Sequence, residues 1–361
     1  TSTSTSTPQA SNGRTRLEVL SATFISARTG WALALQPCHQ TGCPRLKMRK
    51  TTDGGRHWSP APAPPARVAG YGSLPAARAV SQILFADARD GWVFGPGLWA
   101  THDGGRSWNR VGTRGLAVQD LAAQDGRVIA TFGRCPPTAF GCSWFQVYSA
   151  PVTADRWRPV PATAGSGLVG SVTLAAGTGY VAVVHPPGNP GRPSMILLAG
   201  PADGSRAWRR LAPPCPPAFN YDAVVAATPH LALVADCASE PGAGSQVKRA
   251  YFSPDGGRTW RRLADPPEGG YLSEASITPM GTTILLTGGR SDIYLSWDTG
   301  RTWHTSASLN EAAGLAGAGF SFDAAMTTST QGFAIQDGAI YRQQMWFTYN
   351  AGHTWRPVTL H

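Results

Sequence analysis

The sequence has little lysine, a low share of charged residues and no long apolar run. Of its 361 residues 14% are charged, and the positive charge comes from 28 Arg against 3 Lys. No uninterrupted apolar stretch approaches the roughly 18 residues that indicate a membrane span. The 42 Gly and 30 Pro favour many turns and short strands over helices. We therefore expect neither an integral membrane protein, nor a coiled coil, nor a disordered chain.

The charge balance limits the classes of partner. A net charge of +10 favours acidic partners such as anionic glycans, lipid headgroups or nucleic acid. Proteins that bind nucleic acid usually concentrate basic residues on one element, whereas these arginines recur along the whole chain. We therefore expect no nucleic-acid partner. No phosphate-binding glycine loop, zinc signature or nucleophile elbow occurs, so we expect no cofactor and no metal.

The cysteines indicate an oxidising compartment. Six are present, and two tight pairs, Cys38 with Cys43 and Cys135 with Cys142, have spacings of five and seven. These spacings fit neither a zinc site nor a thioredoxin motif, so disulfides are the better interpretation. Residues 1–13 alternate Thr and Ser before adding Pro, Gln and Asn, a composition that predicts a flexible linker. We expect an extracellular or surface-tethered protein.

An internal repeat predicts the architecture. The segment Thr51–Trp58 (Thr-Thr-Asp-Gly-Gly-Arg-His-Trp) recurs in four clear copies, Thr101–Trp108, Ser253–Trp260, Ser296–Trp303 and Thr348–Trp355. Two less complete copies of the repeat end at Trp157 and Trp208. The seven closing tryptophans stand 50, 49, 51, 52, 43 and 52 residues apart. Each period holds four short strand patterns, the first placed at Ser21–Ser26 in the first period. Seven such units over residues 14–361 predict one all-β domain, a seven-bladed β-propeller.

The repeat resembles the Asp box, or BNR repeat, (Ser/Thr)-x-Asp-x-Gly-x-(Thr/Ser)-Trp. This repeat is shared by sialidases, xyloglucan-active glycoside hydrolases, sortilin-type receptors and photosystem II assembly factors. The sequences of Phe24–Trp31 and Phe85–Trp92 resemble those of the last group. The resemblance implies a hairpin between strands 3 and 4 of each blade, at the outer rim and away from the ligand face. It therefore implies structural roles for Asp53, Asp103, Asp203, Asp255, Asp298 and Asn350.

The long insertions and all six cysteines fall on one predicted face of the propeller, which we call the top face. It carries the loops between strands 2 and 3 and the connections between blades. There we expect the disulfides Cys38–Cys43, Cys135–Cys142 and Cys215–Cys237. Binding residues favour loops on a rigid scaffold. The candidate binding residues on this face are Tyr71, Arg134, Trp144, Tyr221 and Tyr271.

Four carboxylates stand near the start of predicted innermost strands: Asp120, Asp222, Glu274 and Asp323. They could hold a cation, act as general acid and base, or contact a basic partner. The alternative, which we favour, is structural: each accepts hydrogen bonds from strand-entry amides or pairs with an arginine. A register slip of one residue would turn these side chains away from the central channel.

The resulting hypothesis is a monomeric, non-catalytic scaffold that binds a protein or polysaccharide at the cell surface. The alternative is a glycoside hydrolase, sialidase-like or β-glucan-active, with Asp222, Glu274, Asp120 and Asp323 as candidate catalytic residues. No Arg-Ile-Pro motif of sialidases occurs, and Tyr341-Arg342 has no adjacent Glu. For ring closure, Leu17–Leu20 is the candidate extra edge strand on the last unit.

Overall fold

The computed structural model describes a chain made of short antiparallel strands. The described residues are 15–37, 45–68, 79–135, 142–184, 195–219, 221–240, 242, 245–288, 292–308, 322–336 and 344–361. Every regular element within these ranges is a β-strand, so the all-β prediction is confirmed. None of these residues belongs to a helix long and apolar enough to cross a membrane. The predicted linker 1–13, Cys38, Cys43 and Tyr71 lie outside the described residues.

In the described part of the chain the strands form seven successive antiparallel groups of four, which we call units 1 to 7. Unit 1 contains β1 (Glu18–Phe24), β2 (Gly30–Gln36), β3 (Arg45–Thr51) and β4 (Ser59–Ala61). A short parallel pair, β5 (Arg67–Val68) and β6 (Ala79–Val80), follows it. Unit 2 contains β7 (Gln82–Phe85), β8 (Gly91–Phe94), β9 (Leu98–Thr101) and β10 (Asn109–Arg110). Unit 3 contains β11 (Ala117–Gln124), β12 (Arg127–Arg134), β13 (Cys142–Pro151) and β14 (Arg158–Pro159).

The remaining four units repeat this order. Unit 4 contains β15 (Gly165–Ala175), β16 (Thr178–Val184), β17 (Met195–Pro201) and β18 (Arg209–Leu211). Unit 5 contains β19 (Asp222–Ala227), β20 (Leu233–Ala238), β21 (Lys248–Ser253) and β22 (Arg261–Arg262). Unit 6 contains β23 (Leu272–Ile277), β24 (Ile284–Gly288), β25 (Asp292–Ser296) and β26 (His304–Ser308). Unit 7 contains β27 (Phe322–Met326), β28 (Gly332–Gln336), β29 (Gln344–Thr348) and β30 (Arg356–Val358). Units 3 and 4 are joined into one sheet where β13 pairs with β15.

The core lies between neighbouring units. The second strands are buried along almost their whole length, as in the Gly-Trp-Ala-Leu-Ala-Leu run of β2, because a sheet covers each of their faces. The aromatic residues pack across the same boundaries. Trp31 of unit 1, for example, stacks on Phe85 of unit 2 with ring centroids 3.8 Å apart. Burial between sheets therefore stabilises the order of the units as well as each unit.

The first strands follow one another around a ring. Each first strand contacts the first strand of the next unit, and β27 contacts β1. The chain ends meet at the same boundary, since the amide of Leu17 donates to the carbonyl of Leu360 at 2.8 Å. The sequence predicts that Leu17–Leu20 adds an edge strand to the last unit. In the structure Glu18 to Leu20 belong to β1 of unit 1, and Leu17 makes the hydrogen bond to Leu360 of the last unit. Because β1 pairs with β2, Glu18 to Leu20 serve in the first strand of unit 1 and not as an extra strand of unit 7.

Candidate functional site

A central channel runs between the first strands of the seven units. Its volume is about 1160 Å³, and all seven first strands contribute to its lining. Four acidic residues line it, namely Glu18, Asp120, Glu274 and Asp323, and no Lys, Arg or His of the described chain does. The structure thus brings together three of the four carboxylates that the sequence singled out. In a chain of net charge +10, the channel is locally acidic.

Asp120 and Asp323 connect neighbouring units. Asp120 on β11 accepts hydrogen bonds from the amide of Leu121 at 2.7 Å and from the amide of Val172 on β15 at 2.6 Å. Asp323 on β27 accepts one from the amide of Ala22 on β1 at 3.1 Å. Burial raises the pKa of both carboxyl groups to about 6, although the amide hydrogen bonds oppose the rise. These hydrogen bonds therefore support a structural role for both aspartates, as acceptors for backbone amides.

Serine hydroxyls make the same link in other units. The hydroxyl of Ser21 on β1 accepts from the amide of Ile83 on β7 at 3.2 Å. Ser171 on β15 accepts from the amide of Val225 on β19 at 2.7 Å. Since aspartate and serine serve interchangeably here, a carboxylate at this position is no sign of catalysis by itself. What distinguishes the aspartates is the negative charge that they add to the channel.

Glu274 and Glu18 differ from the aspartates because no described residue donates a hydrogen bond to their carboxylates. Glu274 on β23 lines the channel. Its pKa is raised well above the usual value, mainly by desolvation within the ring of strands and then by repulsion from Asp323 and Asp120. Glu18 on β1 is only 7% exposed, and burial raises its pKa against the opposing charge of Arg16. Sequence reasoning missed Glu18 because it placed the first strand at Ser21–Ser26, three residues too late.

Asp222 lies apart from these groups. It does not line the channel, and the side-chain amide of Gln246 donates to it at 2.8 Å. The same glutamine accepts from the amide of Leu272 at 2.8 Å, so Asp222 is fixed to the connection between units 5 and 6. Burial raises the pKa of Asp222, and the Gln246 bond opposes that rise. The pair Asp222 and Glu274 therefore does not face a common space in the channel.

A disulfide hairpin stands at the channel end where the first strands begin. Cys135 and Cys142 are bonded across the β12–β13 connection, as predicted. Both sulfur atoms lie near the channel-lining residue Gln119, whose amide nitrogen is 2.6 Å from Cys142 Sγ. Next to the disulfide, Arg134 pairs with Trp144 across the strands, and its guanidinium carbon lies 5.8 Å from the indole centroid. Two predicted binding residues thus form one cation–π pair.

The other predicted top-face residues follow the entries to later units. Cys215 and Cys237 form a second disulfide, which ties the entry of unit 5 to the end of β20. The amide of Tyr221 donates to the carbonyl of Ala238 at 3.2 Å. Tyr271 immediately precedes β23. Tyr221 and Tyr271 do not contribute to the channel lining and lie directly before β19 and β23.

The Asp-Gly turns join the third and fourth strands of their units. In unit 1, Asp53 Oδ1 accepts from the amides of Arg56 at 3.1 Å and His57 at 2.9 Å, while Thr51 Oγ1 accepts from the amide of Gly55. The His57 amide bond is the main cause that holds the pKa of Asp53 well below its usual range. The same pattern recurs at Asp103, Asp255 and Asp298, and Asn350 accepts from the Thr354 amide. The less complete Asp203 turn keeps one such bond, from Ser205. The carboxylate oxygens of these turns therefore already accept hydrogen bonds from amides of the same turn.

A buried lysine fixes the segment that precedes β23. Lys248 is 0% exposed, and its ammonium group donates to the carbonyls of Pro267, Gly269 and Gly270 at 3.2, 2.9 and 3.1 Å. Burial lowers its pKa to about 8, and the charge of Asp236 opposes the fall. Burial likewise raises the pKa of Asp236, itself 0% exposed, to about 8. The sequence gives no signal for this group beyond the rarity of lysine.

Comparison with known proteins identifies the class of fold. No protein-family model matches the chain, and no curated protein matches it. Among solved structures, YCF48 bound to D1 peptide covers 93% of this chain and 94% of its own, with 17% identity and a TM-score of 0.58. YCF48 from Cyanidioschyzon merolae covers 94% and 97%, with 14% identity and a TM-score of 0.55. An α-L-arabinofuranosidase from Fusarium graminearum aligns with 14% identity over 95% of this chain and 92% of its own, at a TM-score of 0.46.

The chain is a β-propeller by fold. It is similar to YCF48, a photosystem II assembly factor, along nearly its full length. The resemblance stated from the repeat is therefore confirmed at the level of architecture. The two predicted disulfides whose cysteines lie within the described residues are present, and disulfides of this kind suggest an oxidising compartment.

Proposed function

We propose that the chain is a monomeric seven-bladed β-propeller that binds a protein or glycan through its top face and performs no catalysis. Residues 14–361 form the propeller, units 1 to 7 are its blades, and the Asp-Gly turns are Asp boxes between the third and fourth strands. The cyclic contacts of the first strands and the repeated turn hydrogen bonds support this arrangement. The two disulfides support export to the cell exterior or surface.

The Arg134–Trp144 pair is the observation that carries the proposal. A disulfide holds its hairpin at the end of the channel, so the two side chains are preorganised without the cost of ordering a loop. Arginine and tryptophan are also the residues most often found at binding hot spots. Tyr221 and Tyr271 are the further proposed contacts, together with Tyr71. Among fold relatives, YCF48 is known in a complex with a D1 peptide, which supports a peptide or protein ligand.

The test uses a displayed peptide library and a glycan array, both with the full chain. Ligands selected on the wild type are measured again on Arg134→Ala and on Arg261→Ala. Arg261 is the matched control, because its guanidinium also lies over an aromatic ring, Phe252, at 4.8 Å, but on an outermost strand. We expect Arg134→Ala to weaken binding about tenfold or more and Arg261→Ala to leave it unchanged. Equal loss in both variants would contradict a top-face site.

Catalysis is tested separately by reducing-sugar release from sialosides, β-glucans and acidic polysaccharides. We expect no release from any of them. Release that is lost in the double variant Asp222→Asn/Glu274→Gln would overturn the non-catalytic proposal and make those carboxylates an active site. The two carboxylates face different surroundings in the structure, which supports the expected negative result.

A further inference from the structure

The charge of the channel is opposite to that of the molecule. Four carboxylates, Glu18, Asp120, Glu274 and Asp323, line it without a single Lys, Arg or His among the described lining residues. The chain as a whole carries 31 basic and 21 acidic side chains. Charged groups that line a cleft of low dielectric focus the field within it and raise the local concentration of counter-ions. The channel therefore favours a positively charged occupant.

Two of the four carboxylates have unused hydrogen-bonding capacity. Asp120 and Asp323 already accept backbone amides from neighbouring units. Glu18 faces the channel, is 7% exposed and accepts no hydrogen bond from any residue that the structure describes. Glu274 likewise has no described donor to its carboxylate. Glu274 is exposed to the channel, whereas Glu18 is nearly buried. A nearly buried carboxylate without a partner is unfavourable, so a cationic ligand at Glu18 would satisfy a need that the fold leaves open.

The walls indicate what kind of cation fits. No group of three His, Cys, Asp or Glu side chains among the described residues is close enough to hold a metal ion. The volume of about 1160 Å³ far exceeds that of a single ion, and part of the wall is apolar, including the half-buried side chains of Leu20, Leu84 and Val169. An alkyl stem matches these walls, and a charged head matches the carboxylates.

We propose that the channel binds an alkylammonium or alkylguanidinium group, with its charged head attracted by the lining carboxylates Glu18 and Glu274 and its stem along the apolar part of the wall. Such a group exists in free amines and in the lysine or arginine side chains of a peptide, and the two sources share this chemistry. Asp120 and Asp323 add attraction without giving up their amide bonds. The proposal is independent of the top-face loops, because none of their proposed binding residues lines the channel.

The experiment is isothermal titration of the full chain at low salt and about pH 8, above the pKa of about 6 to which burial raises Asp120 and Asp323. The probes are agmatine, an uncharged peptide, the same peptide with one arginine, and calcium chloride. Variants are E18Q, E274Q and the control E240Q, which makes the same change on an exposed loop residue outside the channel. Glu274 is open to channel solvent, so E274Q is expected to fold even where E18Q does not.

We expect agmatine to bind the wild type and E240Q alike, and about fivefold or more weakly to E274Q and E18Q. Binding should also weaken at about pH 5, below the pKa of about 6 of the lining groups Asp120 and Asp323. If the arginine peptide binds as well, the natural ligand is a side chain; if only agmatine binds, it is a free amine. Unchanged affinity in E274Q, or calcium binding without agmatine binding, would overturn the proposal. If Arg134→Ala does not weaken binding of the selected ligands while agmatine binds as expected, only the proposed top-face function is overturned.

Discussion

Single glycines connect the repeated turn to the preceding unit. The second glycine of each clear copy has a positive φ, and a Cβ atom there would meet a side chain of the neighbouring unit. These pairs are Gly55 with Phe347, Gly105 with Met48, Gly257 with Leu211, Gly300 with Leu263 and Gly352 with Leu295. The glycine is thus required twice, for the left-handed backbone and for close approach. The pairing of Gly55 in unit 1 with Phe347 in unit 7 follows the same rule as the others.

This double requirement predicts a measurable difference between two glycine substitutions. Gly126 has φ +75° and nothing within 4 Å, so Gly126→Ala reports the backbone strain alone. Gly352 has φ +87°, and its added Cβ would lie 2.1 Å from Leu295. We expect Gly126→Ala to lower the free energy of unfolding by about 1 kcal/mol and Gly352→Ala by about 2–4 kcal/mol. Chemical denaturation measures both, and equal losses would show that the contact across units 6 and 7 is unimportant.

A histidine also bridges two units. His102 Nδ1 lies 2.6 Å from Asp90 Oδ1, and Nε2 lies 3.3 Å from Asp155 Oδ2 in unit 3. Burial alone would lower the pKa of His102, but its hydrogen bonds to Asp90 and Asp155 together outweigh burial and raise it. A raised pKa means that the folded state binds the proton more tightly than the unfolded state. The stabilisation is therefore complete below the unfolded pKa of about 6.5 and lost as pH rises through the higher folded value.

His102→Gln should consequently destabilise the protein more in acid than in base. We expect a loss of about 1 kcal/mol near pH 5.5 and a smaller loss near pH 8.5, since the bridge is partly exposed. The measurement is the free energy of unfolding at both values of pH. His230→Gln serves as the control, because no carboxylate lies within ion-pair distance of His230 in the described part of the chain. A loss for His102→Gln that does not depend on pH would contradict the charged bridge.

Among the elements, the outermost strands are short and carry residues that block further pairing. β4, β14 and β30 each contain a proline, and β18 and β22 present pairs of arginines, most of them exposed. Proline removes a backbone donor, and charged side chains oppose the approach of another sheet edge. The arginine-rich composition thus has a structural use at the rim. This feature is consistent with the proposed monomer.

The two disulfides close loops of different length, which predicts different contributions to stability. Cys135 and Cys142 are 7 residues apart, and Cys215 and Cys237 are 22 apart. In the chain-entropy description, a longer loop removes more freedom from the unfolded state. We expect replacement of the first pair by serine to cost about 2 kcal/mol and of the second about 3 kcal/mol. The check is thermal and chemical unfolding of both double variants; a larger loss for the short loop would indicate that native contacts dominate.

At the scale of the whole molecule, the contact between units 1 and 7 closes the ring. Leu360 is 1% exposed and packs in one cluster with Leu17, Val19, Met345 and Phe347. The hydroxyl of Tyr349 in addition donates to the carbonyl of Gly54 at 2.9 Å. Because each unit contacts mainly its neighbours, an open boundary would let the array unfold from its ends.

Leu360→Ala should therefore be as damaging as a core substitution inside the array. The matched variant is Leu263→Ala, whose leucine is 5% exposed and packs at the boundary of units 5 and 6. We expect each to lower the free energy of unfolding by about 2–4 kcal/mol. Hydrogen exchange should show earlier opening of units 1 and 7 in Leu360→Ala. A neutral effect of Leu360→Ala would mean that other contacts hold the ring closed.

The sequence by itself determined the features that depend on neighbours along the chain. The repeated turn, its spacing and the disulfide of Cys135 with Cys142 involve residues a few positions apart, so their chemistry is visible in a short window. From these the all-β class and the propeller architecture followed. The same reasoning favoured a structural role for Asp120 and Asp323 but gave no means of choosing which side chains share the channel.

Only the tertiary structure decided the lining of the channel. Register shifts interrupt the first strands at Val19/Ser21, Val118/Asp120, Val169/Ser171 and Leu272/Ala275, close to the residues that line it. A bulge of this kind re-aims the side chains beyond it, and its place depends on pairing partners and on the next unit. Glu18 lies beside such a shift and lines the channel, whereas Asp222 is on a first strand without one and does not. Alternation along a strand cannot reveal this, because the amides of Val172 and Ala22, which bind Asp120 and Asp323, belong to other units and lie 52 and 301 residues away along the chain.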